Sequence, residues 1–284
     1  MTQIKITYLI ANYNCGPYLQ ECIDSLISQT SSHWQALICD DMSTDNSRQF
    51  LAALNHPNIK VIYNEKNQGC TATRKRLTET AETEVVAILD PDDCLYPHAT
   101  EVLLHAFEKS DAEFIYSRFH IYDATLTTLI GEGGTPYPDK GTTLERGFIS
   151  HLQAFKRALY DKVPGYNEEI LYAEDRDIIY QFEEVTTPKF IDEVLYQYRV
   201  LLTSQSNSPT KKAIGLKSHY ISRNNALDRR SIKGFERFFY KLLFKLDQVH
   251  SNDFNPKWLK KMASKSRKRL ERLDRSFGIR KALR

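Results

Sequence analysis

Three carboxylates, Asp90, Asp92 and Asp93, stand within four residues and directly follow the apolar run VVAIL at 85–89. Neighbouring carboxylates repel one another, and holding them in a partly dry crevice is costly unless a cation neutralises them. Oxygen ligands of this kind suit Mn²⁺ or Mg²⁺, which proteins commonly hold through one or two carboxylates while substrate phosphates complete the coordination. The sequence therefore predicts a divalent metal and a ligand that carries phosphate.

No glycine-rich phosphate loop accompanies these carboxylates. The chain contains neither G-x-x-x-x-G-K-[ST] nor G-x-G-x-x-G, so neither a P-loop nor a dinucleotide fingerprint is supported. A diphosphate held through a metal ion, without a glycine cradle, is the simplest remaining account.

The elements that must position the carboxylates alternate between strand-like and helix-like segments. Strands are predicted in IKITYLIANYN, WQALICDD, IKVIYN, EVVAILD and AEFIYSRFHIYD, and helices between them, such as PYLQECIDSLISQ and PHATEVLLHAFEKS. This alternation predicts an α/β fold with a mostly parallel sheet and helices on both faces. Ligands of such sheets bind beyond the carboxyl ends of the strands.

Polar side chains follow the first four predicted strands at the points where they end. Asn12 follows the first strand, Asp41 the second, Asn64 the third and Asp90 the fourth. We expect these strand ends to converge on one crevice. The alternative is that Asp, Asn and Pro end strands because they favour turns, which explains one such end more easily than four together.

The second half of the chain is less regular. Residues 125–147 are rich in Gly, Thr and Pro and are predicted to form a long loop. The segment GFISHLQAFKRALYDKVPGY is predicted to be helical, as is AEDRDIIYQFEEV, and KFIDEVLYQYRV is predicted to contain a strand.

The motifs IANYN, ICDDMSTDNS, NEKNQGCTATRK, ILDPDD and AED occur in this order over roughly residues 3–205. Together they resemble the bacterial, nucleotide-sugar-dependent inverting glycosyltransferases of family 2, which have the GT-A fold. The resemblance implies a Rossmann-like GT-A catalytic domain at 1–210, with a nucleotide-binding half at 1–123 and an acceptor-side half at 124–210.

The implied reaction transfers a hexosyl or N-acetylhexosaminyl group from a nucleoside diphosphate sugar, UDP-sugar foremost, to a hydroxyl of a glycan or lipid-linked glycan. Such enzymes build surface polysaccharide or lipopolysaccharide. The donor-binding residues implied by the resemblance are Ala11, Asn12, Tyr13, Asp41, Arg74, Asp90 and Asp92. Among them, Tyr13 is expected to stack on the base and Asp41 to accept a hydrogen bond from uracil N3.

The resemblance also assigns the metal and the catalytic base. In the D-x-D motif, Asp92 is expected to ligate the metal directly and Asp90 to lie near the ribose and the metal, with Asp93 as a substitute ligand. Glu174 and Asp175 match an acidic pair whose aspartate removes the proton from the acceptor hydroxyl. The alternative for Asp175 is an ordinary acid in the first turn of a helix.

One departure from the family pattern concerns the metal site. Members often carry a histidine metal ligand shortly after a YR pair, and Leu201 stands near that place. His151 lies in a region that the family uses around donor sugar and acceptor, and we interpret it as a surface or packing residue.

Charge is distributed unevenly along the chain. Residues 1–210 hold 17 Lys and Arg against 30 Asp and Glu, whereas 211–284 hold 22 against 6. The basic region 211–284 is predicted to be helical and partly amphipathic, with an apolar stripe formed by Phe235, Phe238, Phe239, Leu242, Leu243, Leu246 and Val249. The stripe in 231–284 is expected either to contact an anionic membrane or to pack on the catalytic domain or a second subunit of a homo-oligomer. No nucleic-acid module is recognised, and no nucleic-acid partner is expected.

The cysteines and the apolar segments predict where in the cell the protein is located. Five cysteines without a C-x-x-C pair, a short apolar N-terminal run and no apolar stretch of about 18 residues indicate a cytoplasmic protein, soluble or peripheral on the inner face of the membrane.

Two other functions stay open. A sugar nucleotidyltransferase should show a basic, glycine-rich N-terminal loop, which is missing, and a non-catalytic membrane- or polyanion-binding protein could keep the fold without the chemistry.

Overall fold

The computed structural model describes residues 5–139, 141–144, 148–201, 209–251, 257 and 260–268. Its elements in chain order are β1 (Ile6–Asn12), α1 (Gly16–Ile27), β2 (Trp34–Asp40), α2 (Ser47–Ala53), β3 (Ile59–Tyr63), α3 (Cys70–Thr80), β4 (Val85–Ile88), β5 (Cys94–Leu95), α4 (Ala99–Glu108), β6 (Phe114–Tyr122), β7 (Leu129–Gly133), β8 (Ala154–Lys156), α5 (Arg157–Tyr160), α6 (Glu174–Phe182), β9 (Lys189–Arg199), α7 (Pro209–Arg229) and α8 (Gly234–Ser251). Residues 260–268 are also helical.

The strands form a single sheet in the order β3-β2-β1-β4-β8-β6-β9-β5, with β7 paired to β6. The first four strands are parallel, as predicted, whereas β8, β7 and β5 add antiparallel pairs. Because β1 pairs with β2 on one side and β4 on the other, the winding of the chain reverses at β1. The crevice beyond the carboxyl ends of β1 and β4 is therefore where a ligand is expected.

Helices cover both faces of this sheet, as the alternation of strands and helices predicted. On one face, Tyr8 and Ile10 of β1 belong to a buried cluster that includes apolar residues of α1 and α4. On the other face, Leu9 belongs to a cluster that includes Leu77 of α3 and Ile178 of α6. Strands buried on both faces read as near-continuous apolar runs, which is why β1 and β4 could be recognised from the sequence.

The helix predicted over 147–166 is wrong for most of that segment. Ala154 and Phe155 lie in β8, which pairs antiparallel with β4 through Ala87 and Val86, and only the four residues of α5 are helical. A short apolar run cannot be assigned to helix or strand by periodicity alone. Here the buried position between β4 and β6 decides in favour of the strand.

The loop predicted over 125–147 contains a strand. Residues of β7 pair antiparallel with β6, with Gly133 opposite Phe119. A Cβ at Gly133 would come within 2.1 Å of the Phe119 ring, so glycine permits the close approach of the two strands. Gly131 and Gly133, which a composition count assigns to a loop, thus belong to β7.

The C-terminal helices pack on the rest of the chain. A third buried cluster consists of Leu144, Tyr180, Ala226, Leu227, Ile232, Tyr240 and Phe244. The predicted stripe on α8 is split, because Phe239 and Leu243 are buried while Phe235 and Phe238 are 66% and 61% exposed. The side chain of Val249 lies outside the described residues. The predicted boundary at residue 210 adjoins the start of α7 and stays a prediction.

Among the described helices, none combines the length and the apolar character that crossing a bilayer requires.

Candidate active site

The end of β1 carries three of the predicted donor-binding residues. Asn12 is fully buried and donates from Nδ2 to Asp40 Oδ2 at 2.8 Å and to Ser43 Oγ at 3.1 Å. Its Oδ1 is buried and has no hydrogen-bond partner among the described residues, and a buried acceptor of this kind calls for a donor. Ala11 is half-buried beside it, and Tyr13 is 48% exposed and accessible for stacking.

The carboxylate of Asp41, directly after β2, is held by three donors. Oδ1 accepts from Asn64 Nδ2 at 2.7 Å and from the Gln68 amide at 2.8 Å, and Oδ2 accepts from the Gly69 amide at 2.8 Å. A carboxylate offers about four lone-pair positions. The one that remains, on Oδ2, suits the single N–H contact expected from a uracil base.

The aspartates after β4 crowd one another. Burial, followed by the charge of Asp90, raises the pKa of Asp92 to about 6. Burial also raises the pKa of Asp93 well above its ordinary value, although Asp93 accepts from Tyr196 Oη at 2.8 Å and from the Arg199 amide at 2.7 Å. Carboxylates that resist ionisation together in a buried place are the donor set that a hard divalent cation stabilises. The residues present therefore fit the expected metal.

Arg199, at the end of β9, is hydrogen-bonded to this loop and was not among the predicted site residues. Its Nε donates to the Asp92 carbonyl oxygen at 2.6 Å and its Nη1 to the Ala124 carbonyl oxygen at 2.9 Å. The guanidinium also pairs with Glu21 and lies 4.8 Å from the centre of the Tyr18 ring. The sequence places Arg199 more than 100 residues from the aspartates, so no local signal reveals this contact.

Arg74 joins the aspartate loop to the predicted catalytic helix. Its Nη2 lies 2.6 Å from Asp90 Oδ1 and its Nη1 lies 3.0 Å from Glu174 Oε1. Cys70 Sγ lies 3.4 Å from the same Glu174 oxygen, and burial raises the pKa of both Cys70 and Glu174. One guanidinium thus brings together two of the motifs that the sequence separates by 84 positions.

Asp175 lies in the first turn of α6 and is partly exposed. The residue before this helix, Ala173, has φ +79°, a left-handed conformation that a non-glycine residue adopts only under constraint. Asp175 Oδ1 accepts from the Arg176 amide at 2.8 Å. Burial lowers the pKa of His151, and the charges of Asp90 and Asp175 oppose that shift.

His151 faces the aspartate loop, which the sequence did not lead us to expect. One ring nitrogen lies within 4.8 Å of carboxylate oxygens of Asp90 and Asp93, and those oxygens lie within the same distance of each other. The ring stacks on Tyr196 at 4.5 Å. His151 thus packs against an aromatic ring while staying partly exposed, which agrees with the surface or packing interpretation made from the sequence. Leu201, at the place of the family histidine, is buried.

The predicted residues thus lie along one edge of the sheet. Arg74 links the aspartate loop to α6, and the end of β2 contacts the residues that lead into α3, the helix that carries Arg74. Their individual roles in binding and catalysis stay predictions. Tyr196 and Arg199, which the sequence did not indicate as site residues, bond Asp93 directly, and His151 lies near the same carboxylate.

Comparison with known proteins places these features in a family. The family model described as "Glycosyl transferase family 2" matches residues 7–164, which is more than half of the chain. The chain is 26% identical over 234 residues to chondroitin synthase of Escherichia coli, covering 81% of this chain and 34% of that protein. It is 27% identical over 244 residues to hyaluronan synthase of Pasteurella multocida, covering 80% and 23%. The chain therefore spans about a quarter to a third of the length of these relatives.

A solved structure shows the same architecture. The crystal structure of S. aureus TarS 1-349 in complex with UDP-GlcNAc superposes with a TM-score of 0.61 at 17% sequence identity, covering 87% of this chain and 81% of that chain. At this identity, the likeness concerns the fold.

Proposed function

Since the chain belongs to glycosyltransferase family 2 and has the GT-A fold of that family, we propose that it is a metal-dependent, inverting glycosyltransferase. The donor is a nucleoside diphosphate sugar, with UDP as the nucleotide. Support for UDP comes from the free lone pair on Asp41 Oδ2, and TarS, which has the same fold, was crystallised with UDP-GlcNAc.

The observation that carries the proposal is the double ion pair of Arg74. It connects Asp90 of the D-x-D motif with Glu174, the neighbour of Asp175. A transfer reaction requires the donor diphosphate and the base that activates the acceptor to be held in one geometry. A single, mostly buried guanidinium that bonds both motifs supports such an arrangement.

In the proposed reaction, an acceptor hydroxyl oxygen attacks the anomeric carbon from the face opposite the diphosphate. Asp175 takes the hydroxyl proton as the new C–O bond forms. The bond between the anomeric carbon and the diphosphate oxygen breaks, and the diphosphate leaves with the electron pair. The configuration at the anomeric carbon is inverted, and no acid is needed for the leaving group.

A divalent ion would be held by the carboxylates after β4 and would supply positive charge to the departing diphosphate. Asp90, Asp92 and Asp93 are the residues available for it, and their crowding supports Mn²⁺ or Mg²⁺ as the cofactor. Tyr196 and Arg199 hold the carboxylate of Asp93 in place through hydrogen bonds to its two oxygens.

We propose a glycan or lipid-linked glycan acceptor, in the synthesis of surface polysaccharide or lipopolysaccharide, at the inner face of the cell membrane. The exposed Phe235 and Phe238 on α8, with ring centres 6.2 Å apart, support a peripheral membrane contact. The excess of Lys and Arg in 211–284 is the complement of an anionic lipid surface.

Replacement of Asp175 by Asn tests the proposal, because it removes the base while keeping the size of the side chain. The donor is first chosen by thermal shift against a panel of nucleotide sugars with Mn²⁺. We expect Asp175→Asn to bind that donor as the wild type does, by calorimetry, while transfer falls by about 10²-fold or more. Asp111→Asn, an exposed loop acid, is the control and should change neither quantity. Undiminished transfer by Asp175→Asn would remove Asp175 from the proposed role.

A further inference from the structure

The group formed by His151, Asp90 and Asp93 has the composition of a metal site with mixed donors. One ligand atom from each residue lies within 4.8 Å of the other two, which is a separation that a single ion can bridge with small adjustments at metal–ligand distances near 2.1 Å. Asp93 is buried and the other two residues are partly exposed. The group therefore lies at the wall of the crevice rather than in the core.

The imidazole is oriented by its packing. Its ring stacks on Tyr196 with 9° between the planes and on Tyr198 at 5.1 Å with 20° between the planes, while Phe119 meets it edge-on at 5.3 Å. Three aromatic contacts leave the ring little rotational freedom. The His151 ring nitrogen is thus held near the carboxylates of Asp90 and Asp93. Among the described residues it makes no hydrogen bond to either carboxylate.

Tyr196 ties the histidine to one of the carboxylates. Its ring stacks on His151, and its hydroxyl donates to Asp93 Oδ2 at 2.8 Å. The same hydroxyl accepts from the Asp90 amide at 3.2 Å. One side chain thus fixes the relative positions of all three members, as the residues behind metal ligands characteristically do.

We propose that His151 is a nitrogen ligand of the divalent ion and binds it with Asp90 and Asp93. Asp92, which the sequence led us to expect as the direct metal ligand, is not a member of this group. The inference deepens the proposed function and rests on it for the role of the ion in transfer. The family pattern draws its histidine from the segment after β9, where this chain has the buried Leu201. Here the nitrogen comes instead from the segment before β8.

A nitrogen in the donor set has a consequence for metal selectivity. Mg²⁺ binds oxygen ligands and gives up its water reluctantly, whereas imidazole favours transition metals, and affinity for such sites rises from Mn²⁺ through Co²⁺ to Ni²⁺. The ratio of Mn²⁺ affinity to Mg²⁺ affinity should therefore be larger at this site than at a site made of the same carboxylates without the imidazole.

The test measures metal binding by the full chain in the presence of UDP, with no transfer reaction. Free Mn²⁺ is followed by electron paramagnetic resonance, and Mg²⁺ is measured by competition. His151→Phe keeps an aromatic ring for the stack on Tyr196 and Tyr198 but removes the nitrogen. We expect its Mn²⁺ affinity to fall about tenfold or more and its Mg²⁺ affinity to fall less, so that the preference for Mn²⁺ narrows.

The matched control is His120→Phe. His120 also contacts an aromatic ring, Tyr96 at 5.7 Å, and hydrogen-bonds to its hydroxyl at 2.6 Å, but it is not a member of the metal group. Its Mn²⁺ affinity should equal that of the wild type.

A second measurement does not depend on the folding of a variant. In pulsed electron paramagnetic resonance, Mn²⁺ bound to the wild type should show coupling to a ¹⁴N nucleus, and this coupling should change to the ¹⁵N pattern when the histidines alone carry ¹⁵N. Absence of histidine nitrogen coupling, or its persistence in a folded His151→Phe, would overturn the proposal. Coupling in a protein that transfers no sugar would leave the ligand assignment intact and count against the proposed function only.

Discussion

At the scale of single residues, Arg74 is held by two carboxylates that belong to different elements. It is 11% exposed, it bonds Asp90 on the β4 loop and Glu174 on α6, and both partners are at most 28% exposed. A guanidinium presents its donors as a planar fork that can reach two carboxylates at once, which an ammonium cannot do equally well. Its burial is costly and is offset only while both partners stay in place.

Replacement of Arg74 by Gln should therefore destabilise the metal-free protein. We expect the free energy of unfolding in urea to fall by about 3 kcal/mol, because two partly buried carboxylates lose their shared cation. Lys75→Gln is the adjacent control, since the Lys75–Glu168 pair is exposed and should contribute less than about 0.5 kcal/mol. Equal stability of Arg74→Gln and the wild type would show that Arg74 does not neutralise these groups.

At the scale of elements, the two sides of α8 have different environments. Phe244 is 2% exposed, belongs to the cluster that joins α8 to Tyr180 of α6, and has Arg223 of α7 4.5 Å from its ring centre. Phe235, on the same helix, is 66% exposed. The packing alternative for the stripe thus holds for one side of α8, and the other side is available to a partner.

Phe244→Ala should lower the free energy of unfolding by about 3 kcal/mol, through lost burial and the cavity left behind. Phe235→Ala, the same substitution on the exposed side, should stay within about 0.5 kcal/mol of the wild type. Urea denaturation followed by circular dichroism gives both values. If the two variants were equally stable, α8 would not be packed on the catalytic part of the chain as described.

At the scale of the whole molecule, acidic and basic residues are segregated between 1–210 and 211–284. Some of the basic residues of 211–284 form ion pairs with acidic residues of 1–210. Arg229, at the end of α7, and Arg230, which follows it, both pair with Glu184 after α6. Positive charge beyond these pairs, combined with the exposed Phe235 and Phe238, is the pattern of a surface that adsorbs to anionic lipid. Removing 231–284 would also expose Tyr180, so point substitutions are the sharper test.

The double variant Phe235→Ser, Phe238→Ser should bind vesicles of phosphatidylglycerol and phosphatidylcholine about tenfold more weakly than the wild type, since two apolar side chains no longer insert. Co-sedimentation at low salt measures the partition. Leu129→Ser, which removes another exposed apolar residue on β7, should bind as the wild type does. Unchanged partition of the double variant would indicate that the exposed side of α8 serves another purpose.

The sequence by itself determined the parallel half of the sheet, the strand-end carboxylates and the family. These features are local, because buried strands, helix periodicity and turn-forming aspartates are each encoded within about ten residues. Tertiary structure decided the rest. Whether 154–156 form a strand, and which side of α8 is buried, depend on neighbours far along the chain.

The surroundings of Asp93 show the same division. Tyr196 and Arg199 contact it from more than 100 residues away, and His151 faces it from a segment whose own pattern indicated a helix. Such contacts arise only when the sheet order β4-β8-β6-β9 brings distant strands side by side. Short-range sequence patterns do not encode the order of the strands. The neighbours of His151 in the sequence therefore could not show that it lies beside the carboxylates of Asp90 and Asp93.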